Sequence, residues 1–240
     1  MTQIESYQGT DNLEAMEAAH RYNAFLTDLI NHHAPTVGTI LDYGAGVSTF
    51  ARLIDNTGRT IVCLEPDHTL ANDLKGAGFE THLASQTIND QSCDFIYSLN
   101  VIEHIEDDSA AIAEMFRILK PGGTLLLYVP ALQSLYSTMD KKVGHFRRYH
   151  IKGLKKLLKQ NNFKVENAEY ADSLGYFATL AFKWFGNDRG DLNMKGLILY
   201  DRVFFPLSRL LDSIAHPFFG KNVFALAQKP DSKGEQSVHN

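Results

Sequence analysis

Eight residues near the start of the chain read Thr39-Ile40-Leu41-Asp42-Tyr43-Gly44-Ala45-Gly46, an apolar run that leads through one acid into two glycines. A short apolar run closed by glycines predicts a buried strand, Thr39–Tyr43, followed by a sharp turn. A helix is predicted next at Ser48–Asp55, and a second strand at Thr60–Leu64. A strand, a crossover helix and a second strand in this order predict parallel pairing with a right-handed crossover.

The alternation of strands and helices continues along the chain. The pattern predicts a helix at His68–Gly76, a strand at Phe79–Leu83, a strand at Asp94–Leu99, a helix from Asp107 or Asp108 to Lys120, a turn at Pro121–Gly123, a strand at Thr124–Val129, a helix at Lys152–Gln160, a strand at Lys164–Tyr170 and a last strand at Asn222–Gln228. Because such alternation produces sheets covered on both faces, we predict an α/β fold with a doubly wound, mostly parallel sheet. One domain is expected over residues 1–240.

Three segments lie outside this alternation. Residues 1–34 predict an N-terminal helical segment, with an amphipathic helix at Leu13–Asn31. The gap between the last two strands is too long for an irregular loop, so residues 173–221, rich in aromatic and aliphatic side chains, predict a helical insertion. The polar residues 230–240 predict a disordered tail.

Composition and charge exclude some classes of protein. The formal net charge of -5 argues against a general nucleic-acid-binding protein, whose surface is usually basic. The two cysteines, Cys63 and Cys93, lie far apart in apolar runs, which predicts buried free thiols and a reducing, cytoplasmic setting. The N-terminus lacks the pattern of a signal peptide, and no uninterrupted apolar stretch is long enough for a membrane-spanning helix.

A ligand site is predicted where the first strand ends. Open parallel sheets bind ligands beyond the carboxyl ends of their strands, and Gly44 and Gly46 let the backbone approach a bound molecule. Glu65 closes the second strand and can accept hydrogen bonds from two ribose hydroxyls. These features fit a nicotinamide dinucleotide or an adenosyl cofactor. Thr49 favours the latter because a dinucleotide fingerprint needs glycine there, and the Asp42 carboxylate suits a sulfonium and an ammonium group.

Four segments resemble the motifs of class I S-adenosylmethionine-dependent methyltransferases. They are Ile40–Gly46, similar to motif I; Cys63–Asp67, similar to the ribose-binding strand end; Asp94–His104, similar to motif IV; and Arg117–Gly123, similar to the turn into strand five. The resemblance covers about residues 38–130 and implies a Rossmann-like sheet of seven strands with a reversed last strand. It departs at Ser48, where the family often has a third motif I glycine; serine is small and can cap the helix.

The resemblance implies S-adenosylmethionine as the cofactor and assigns residues to it. The implied cofactor-binding residues are Asp42, Gly44 and Gly46 along the methionine part, Glu65 and Pro66 at the ribose, Ser85 (or its neighbours Ala84 and Gln86) near the adenine, and Asn100 beside the sulfonium. The segment Leu135–Tyr149 resembles a bacterial subgroup often associated with glycan, lipid or natural-product pathways. A small-molecule, sugar or lipid-linked acceptor is therefore implied.

Two histidines are candidates for the chemistry. Methyl transfer is an in-line displacement, and a hydroxyl acceptor also needs a base to remove its proton. Histidine suits that role at neutral pH. His104 follows the fourth strand and His145 the fifth, so both loops open on the same edge of the sheet. We predict O-methylation with one of them as the base, although either could instead only fix its loop through hydrogen bonds.

Acceptor contacts are predicted in the same loop and in the insertion. Arg147 and Arg148 would contact an anionic group of the acceptor, unless they pair with Asp140 or nearby acids and hold the loop closed. Tyr149 in this loop and Tyr176 in the insertion are the other predicted acceptor contacts. The insertion is interpreted as a cap over the carboxyl ends of the strands, with a homodimer interface or a peripheral membrane contact as alternatives.

Other sites and functions are less favoured. No histidines, cysteines or carboxylates have metal-ligand spacing, so no metal site is expected. A nicotinamide-dependent oxidoreductase is one alternative, disfavoured by Thr49 and by the long insertion. A catalytically silent cofactor-binding scaffold protein is another, because a binding motif is not a reaction.

Overall fold

The chain folds into a seven-stranded sheet with helices on both faces. The structure is a computed structural model that describes residues 17–54, 56–185 and 194–231. The strands are β1 Gly38–Tyr43, β2 Arg59–Leu64, β3 Glu80–His82, β4 Cys93–Leu99, β5 Leu119–Pro130, β6 Lys164–Ala171 and β7 Asn222–Gln228. Their order across the sheet is β3-β2-β1-β4-β5-β7-β6. β7 runs antiparallel to both neighbours and the other pairings are parallel. The predicted doubly wound sheet with a reversed last strand is confirmed.

The helices follow the predicted order with shifted ends. They are α1 His20–His33, α2 Thr49–Leu53, α3 His68–Gly76, α4 Asp108–Ile118, α5 Thr138–Lys142, α6 Ile151–Gln160, α7 Ser173–Phe185, α8 Met194–Leu199 and α9 Phe205–Ala215, with a π-helical segment Tyr200–Phe204 between α8 and α9. α1 begins at His20 rather than Leu13, and residues 1–16 lie outside the described residues. The predicted tail is described only to residue 231.

Each face of the sheet buries its own apolar core. Ile40 and Leu41 are both fully buried yet belong to opposite cores, because successive side chains of a strand point to opposite faces. A parallel strand covered on both faces is apolar at nearly every position, which explains the unbroken apolar run before the glycines. Cys63 and Cys93 are buried and free, as predicted.

The turn at residues 121–123 lies inside a strand rather than before it. Leu119 pairs with Cys93 and Thr124 pairs with Phe95, so the intervening residues of β5 bulge out of the ladder. Gly122 adopts φ +76°, which favours glycine, and the sharp turn is therefore accommodated as a bulge.

The predicted helical insertion is present as α7, α8 and α9 between β6 and β7. One of its residues is part of the core: Phe205 is 2% exposed, and its ring centroid lies 5.4 Å from that of Tyr22 and 5.8 Å from that of Phe25 on α1. α1 and α9 thus cover the sheet together beside Tyr128 of β5. In the described ranges, none of the helices combines the length and hydropathy needed to cross a bilayer.

Candidate active site

The carboxyl ends of β1 and β2 meet at the glycine turn. Gly44 has φ +89°, and a Cβ there would lie 2.5 Å from Val101 Cγ2, so a side chain is excluded. Gly46 has φ +53° with no atom within 4 Å of the Cβ position, which leaves open space for a ligand against the backbone. The N–H groups of Gly44 and Ala45 both donate to the Leu64 carbonyl, at 2.9 and 3.0 Å. The turn is thereby held against the end of β2.

Glu65 is buried at the end of β2 and locks the same turn. Its Oε2 accepts a hydrogen bond from Gly46 N–H at 2.8 Å, and its Oε1 accepts one from Asp67 N–H at 2.9 Å. Burial raises the pKa of Glu65, and these two N–H groups oppose that rise. Since a carboxylate oxygen accepts more than one hydrogen bond, both oxygens can still receive ribose hydroxyls.

Asp42 supplies a buried acceptor with nothing to satisfy it in the described part of the chain. The residue is 3% exposed and its Oδ2 lacks a hydrogen-bond partner. Burial raises the pKa of its carboxyl to about 7, and the neighbouring Glu65 charge acts in the same direction. A hydrogen bond with the Tyr97 side chain opposes this rise, but the partnerless Oδ2 remains unfavourable, and a cationic ligand group would stabilise the charged form. These properties fit the ammonium and sulfonium groups of the implied cofactor.

Ser48 occupies the N-cap position of α2 but does not cap it. Its side chain makes no hydrogen bond to the helix N–H groups, and its Oγ instead accepts one from Arg52 Nε at 2.6 Å. The prediction that this serine caps the helix is therefore wrong. The backbone at Ser48 has φ +71°, a conformation that favours glycine, which is the residue the related motif often has here.

The remaining predicted cofactor residues lie at three strand ends. Pro66 is exposed after β2, and Ser85 is buried in a 3₁₀ turn after β3. Asn100 follows β4 with φ +53°; its N–H donates to the Tyr128 carbonyl at 2.7 Å, and its Oδ1 accepts from Asn222 Nδ2 at 3.2 Å. Asn100 thus joins β4, β5 and β7 at the carboxyl edge of the sheet.

The loops after β4 and β5 bring the two predicted catalytic histidines together. The ring centroids of His104 and His145 lie 4.5 Å apart. His145 Nδ1 lies 2.7 Å from Asp140 Oδ1, and its Nε2 lies 3.8 Å from Glu103 Oε1, beyond hydrogen-bond distance. Burial, aided by His145, lowers the pKa of His104 to about 4, so this ring is neutral at pH 7.

The two acids of this cluster, Asp140 and Glu103, differ in charge at neutral pH, because the first is ionised and the second carries its proton. Burial acts to raise the pKa of Asp140, but hydrogen bonds from His145 and the charge of Arg148 outweigh it and lower the pKa to about 2. Glu103 is fully buried, neither of its carboxyl oxygens has a hydrogen-bond partner in another described residue, and burial raises its pKa to about 8. The 2.7 Å contact with an ionised Asp140 favours the His145 tautomer that carries its proton on Nδ1.

The arginines and Tyr149 pair with acids of the protein and so hold this loop. Arg148 is 6% exposed, and its Nε and Nη2 donate to the two Asp140 oxygens at 2.8 and 3.0 Å. Arg147 Nη1 lies 2.9 Å from Asp108 Oδ2, which also accepts from the Tyr149 hydroxyl at 2.9 Å. The structure thus shows the alternative prediction, in which the arginines pair with acids of the protein, while acceptor contact by Arg147, Arg148 and Tyr149 stays a prediction.

Tyr176 lies on α7, with its ring centroid 5.2 Å from those of Phe177 and Phe219. Contact of Tyr176 with the acceptor stays a prediction.

The prediction that no residues form a metal-ligand cluster is corrected by the fold. Ligand atoms of Glu103, His104 and His145 lie within 4.8 Å of one another, a set that suits zinc. Sequence spacing misses this cluster because His145 arrives from a different loop.

Sequence reasoning also misses polar residues from α1, β6 and β7 that gather beside Asn100. The Tyr22 phenol adjoins Asn100, and Lys221 Nζ lies 5.9 Å from the Tyr22 ring centroid. Burial lowers the pKa of Lys221, although the charge of Asp172 opposes this. Asp172 Oδ2 and Asn222 Oδ1 are buried without hydrogen-bond partners. No local pattern marks these residues, since only the tertiary fold brings their elements together.

A family model and curated proteins match this region. The model for a methyltransferase domain matches residues 17–168. A probable S-adenosylmethionine-dependent methyltransferase of Mycolicibacterium smegmatis is 30% identical over 145 residues, which cover 58% of this chain and 54% of that protein. An uncharacterized methyltransferase of Mycobacterium tuberculosis is 33% identical over 126 residues, 49% of this chain and 50% of that protein. The chain spans about half the length of these curated relatives.

Solved structures share the fold at low sequence identity. A methyltransferase described as putative, from Haloferax volcanii in complex with the Trm112 activator, has a TM-score of 0.63 at 15% identity and covers 95% of this chain and 98% of its own. A possible histamine N-methyltransferase of Thermotoga maritima gives 0.62 at 18% identity, covering 93% and 97%. The phosphoethanolamine N-methyltransferase 2 of Haemonchus contortus, which contains S-adenosyl-L-methionine, gives 0.56 at 18% identity, covering 88% and 53%.

Proposed function

Because the chain belongs to the S-adenosylmethionine-dependent methyltransferases, we propose that it methylates a hydroxyl group of a small-molecule, sugar or lipid-linked acceptor. Its cofactor is S-adenosylmethionine, and family membership sets aside the nicotinamide-dependent oxidoreductase. The acceptor class and the oxygen atom are the proposed part. We keep a cytoplasmic setting within the proposal, on the two free buried cysteines.

The Asp140–His145 pair is the observation that carries O-methylation. A carboxylate held 2.7 Å from one ring nitrogen orients the imidazole, fixes its tautomer and stabilises it once protonated. Methylation of a neutral hydroxyl needs such a base, because the oxygen loses its proton as it bonds to carbon. Burial lowers the pKa of His104 to about 4, which makes this ring a weak base.

Each bond and proton of the methyl transfer is accounted for by the cofactor, the acceptor hydroxyl and His145. When bound, S-adenosylmethionine supplies an electrophilic methyl group and leaves as S-adenosylhomocysteine. His145 Nε2 removes the hydroxyl proton as the carbon–oxygen bond forms and the carbon–sulfur bond breaks. Asp140 then faces an imidazolium, and because the Asp140 side chain is fully buried and that of His145 is 13% exposed, this attraction is stronger than in water. Asp42 and Glu65 are the residues proposed to hold the cofactor at the glycine turn.

The insertion is proposed to form one wall of the acceptor pocket. It starts directly after the carboxyl end of β6, and Lys183 Nζ on α7 donates to the Ser134 carbonyl in the loop after β5. That loop also carries Asp140 and His145. A helical cap at this position would exclude water from the transfer. Tyr176 stays in this proposal as an acceptor contact from α7.

His145→Ala tests the base. We expect turnover to fall by about 10²–10⁴-fold while calorimetry shows unchanged binding of S-adenosylhomocysteine. Methyl transfer from labelled cofactor into extracts of sugars, lipids and small metabolites measures turnover, and mass spectrometry of the product identifies the methylated atom. The matched variant His104→Ala should lose less activity.

Three outcomes would contradict this assignment. Full activity of His145→Ala, or a product methylated on nitrogen or carbon, would remove the base role. Activity that chelator dialysis abolishes and zinc restores would assign Glu103, His104 and His145 to a metal ion instead.

A further inference from the structure

Helix α9 exposes most of its leucine and isoleucine side chains and buries two polar side chains. Phe205, Ser208, Asp212 and Ala215 are its buried residues, so two polar side chains face the protein. Leu207, Leu210, Leu211 and Ile214 recur at helical spacing on the outer face, and Leu210 and Ile214 are each 74% exposed. A surface helix in water has the opposite arrangement, with its apolar stripe turned to the core. The outer face of α9 therefore lacks a partner within the described residues.

The buried polar side chains explain how this orientation is fixed. Asp212 accepts hydrogen bonds from the N–H groups of Asp172 and Ser173 at 3.0 and 2.8 Å. The Ser208 hydroxyl accepts one from Leu174 N–H at 2.9 Å. These bonds tie α9 to the start of α7 by its polar face, so rotation of the helix to hide its leucines would leave buried N–H groups unsatisfied.

The exposed apolar surface extends beyond α9 across the insertion. Twelve of the fifteen large hydrophobic residues that are exposed in the described ranges belong to residues 173–185 and 194–221. They are Phe177, Trp184, Phe185, Met194, Leu199, Val203, Phe204, Leu207, Leu210, Leu211, Ile214 and Phe218. A patch of this size marks a surface that binds a partner or a membrane. We call these twelve residues the apolar patch.

The exposed charges in the described part of the insertion are of one sign. Among the described residues of the insertion the acids are Asp201 and Asp212, which are 3% and 6% exposed. Asp201 accepts hydrogen bonds from two N–H groups of α1. In contrast, Lys183, Lys195 and Arg202 are exposed. Within residues 173–185 and 194–221, the exposed charged side chains beside the patch are thus cations, on a chain whose formal net charge is -5.

We propose that the apolar patch docks on an anionic lipid bilayer, with its aliphatic and aromatic side chains at the acyl boundary and its cations among the lipid headgroups. Interfacial helices combine apolar and cationic surface in this way, and each lysine or arginine near an anionic leaflet strengthens binding. In a two-fold dimer the patch would face its own copy, which brings the cations together instead of neutralising them. Charge complementarity therefore selects the bilayer.

Docking in this orientation gives the active site access to the membrane surface. α7 begins at the carboxyl end of β6, and its Lys183 contacts the loop that carries His145. A lipid-linked acceptor is thereby favoured over a freely diffusing one, a step that rests on the proposed function. Membrane docking itself does not depend on the acceptor and can be tested without it.

Vesicle co-sedimentation of the full chain tests the docking. The vesicles are pure phosphatidylcholine, or phosphatidylcholine with about 30% phosphatidylglycerol, at about 0.1 M salt. We expect sedimentation with the anionic vesicles and little with the neutral ones. The double variant L210S/I214S should lower the partition coefficient at least about tenfold, since both side chains would leave the acyl boundary. Lys195→Gln with Arg202→Gln should lower it mainly on anionic vesicles.

Val37→Ser is the matched control, because Val37 is 67% exposed and lies outside the patch. It should sediment like the unaltered chain. Retained S-adenosylhomocysteine binding and an unchanged circular dichroism spectrum show that the variants fold. No sedimentation with either vesicle overturns the proposal, as does equal binding to both or equal binding by L210S/I214S. A chain that is dimeric in solution, and that L210S/I214S makes monomeric without affecting sedimentation, assigns the patch to a second copy and also overturns it.

Discussion

Replacement of Glu103 by glutamine should stabilise the protein at neutral pH. The carboxyl is fully buried and has no hydrogen-bond partner in another described residue, and burial raises its pKa from 4.5 to about 8. Below pH 4 both the folded and the unfolded chain carry its proton. Between pH 4.5 and 8 only the unfolded chain releases it, so stability falls as pH rises.

The two pKa values set the size of the effect. An unfolded pKa of 4.5 and a folded pKa of about 8 reduce the free energy of unfolding by about 1 kcal/mol at pH 5 and about 3 kcal/mol at pH 7. Glutamine has nearly the same shape and never ionises. The variant Glu103→Gln should therefore exceed the unaltered chain in stability by these amounts.

Urea denaturation of both proteins at several pH values between 5 and 8 measures the difference. The carboxyl of Asp42, with a pKa of about 7, titrates in both proteins, so its contribution cancels in the difference between their free energies of unfolding. Asp140 has a pKa of about 2, so its contribution is lost only as pH falls through the acid range. Glu166→Gln is the control, because that half-exposed side chain should change stability by less than about 0.5 kcal/mol at every pH. Lower stability of Glu103→Gln at pH 7, or a difference that does not grow with pH, would show an ionised, paired carboxylate and refute the reasoning.

Three further substitutions test the cofactor site and the insertion. Glu65→Ala should weaken S-adenosylhomocysteine binding by roughly 1–3 kcal/mol in calorimetry, through lost ribose contacts and a loosened turn; unchanged affinity would exclude both roles. Gly44→Ala places its Cβ 2.5 Å from Val101 Cγ2 at φ +89°, so we expect lost cofactor binding and a lower melting temperature, and a variant equal to the parent in both would contradict the geometry. Phe205→Ala removes a buried ring that packs on Tyr22, and denaturation should show a loss of about 3–5 kcal/mol; a loss below about 1 kcal/mol would place α9 outside the core.

The fold and the cofactor half of the site follow from local sequence signals. Each parallel strand is a short apolar run closed by polar or glycine residues, and such runs form strands wherever both faces are covered. Gly44, Gly46 and Glu65 lie close in sequence at the ends of two paired strands, so the crossover rule alone brings them together. The glycine turn with its acid could therefore be predicted before any contact was known.

The acceptor half could be predicted only as a set of candidates. His104 and His145 were recognised as residues on one edge of the sheet, but Asp140 as the orienting acid and Glu103 as a buried carboxyl were not. Arg148 shows why: an arginine in a polar loop can bind a ligand or an acid of the protein, and the sequence does not reveal which. Only the tertiary structure shows that Arg148 is buried and donates to Asp140.

By itself the sequence determined the parallel α/β sheet, the glycine turn and the helical character of the insertion, because these depend on residue types that are neighbours along the chain. The tertiary structure decided which polar groups meet and which face of α9 points outward. The apolar spacing of Leu207, Leu210 and Ile214 predicts a helix with one apolar face, yet it cannot say whether that face is buried. Asp212 settles the question through its hydrogen bonds to the N–H groups of Asp172 and Ser173, some forty residues earlier in the chain, and these turn the leucines away from the protein.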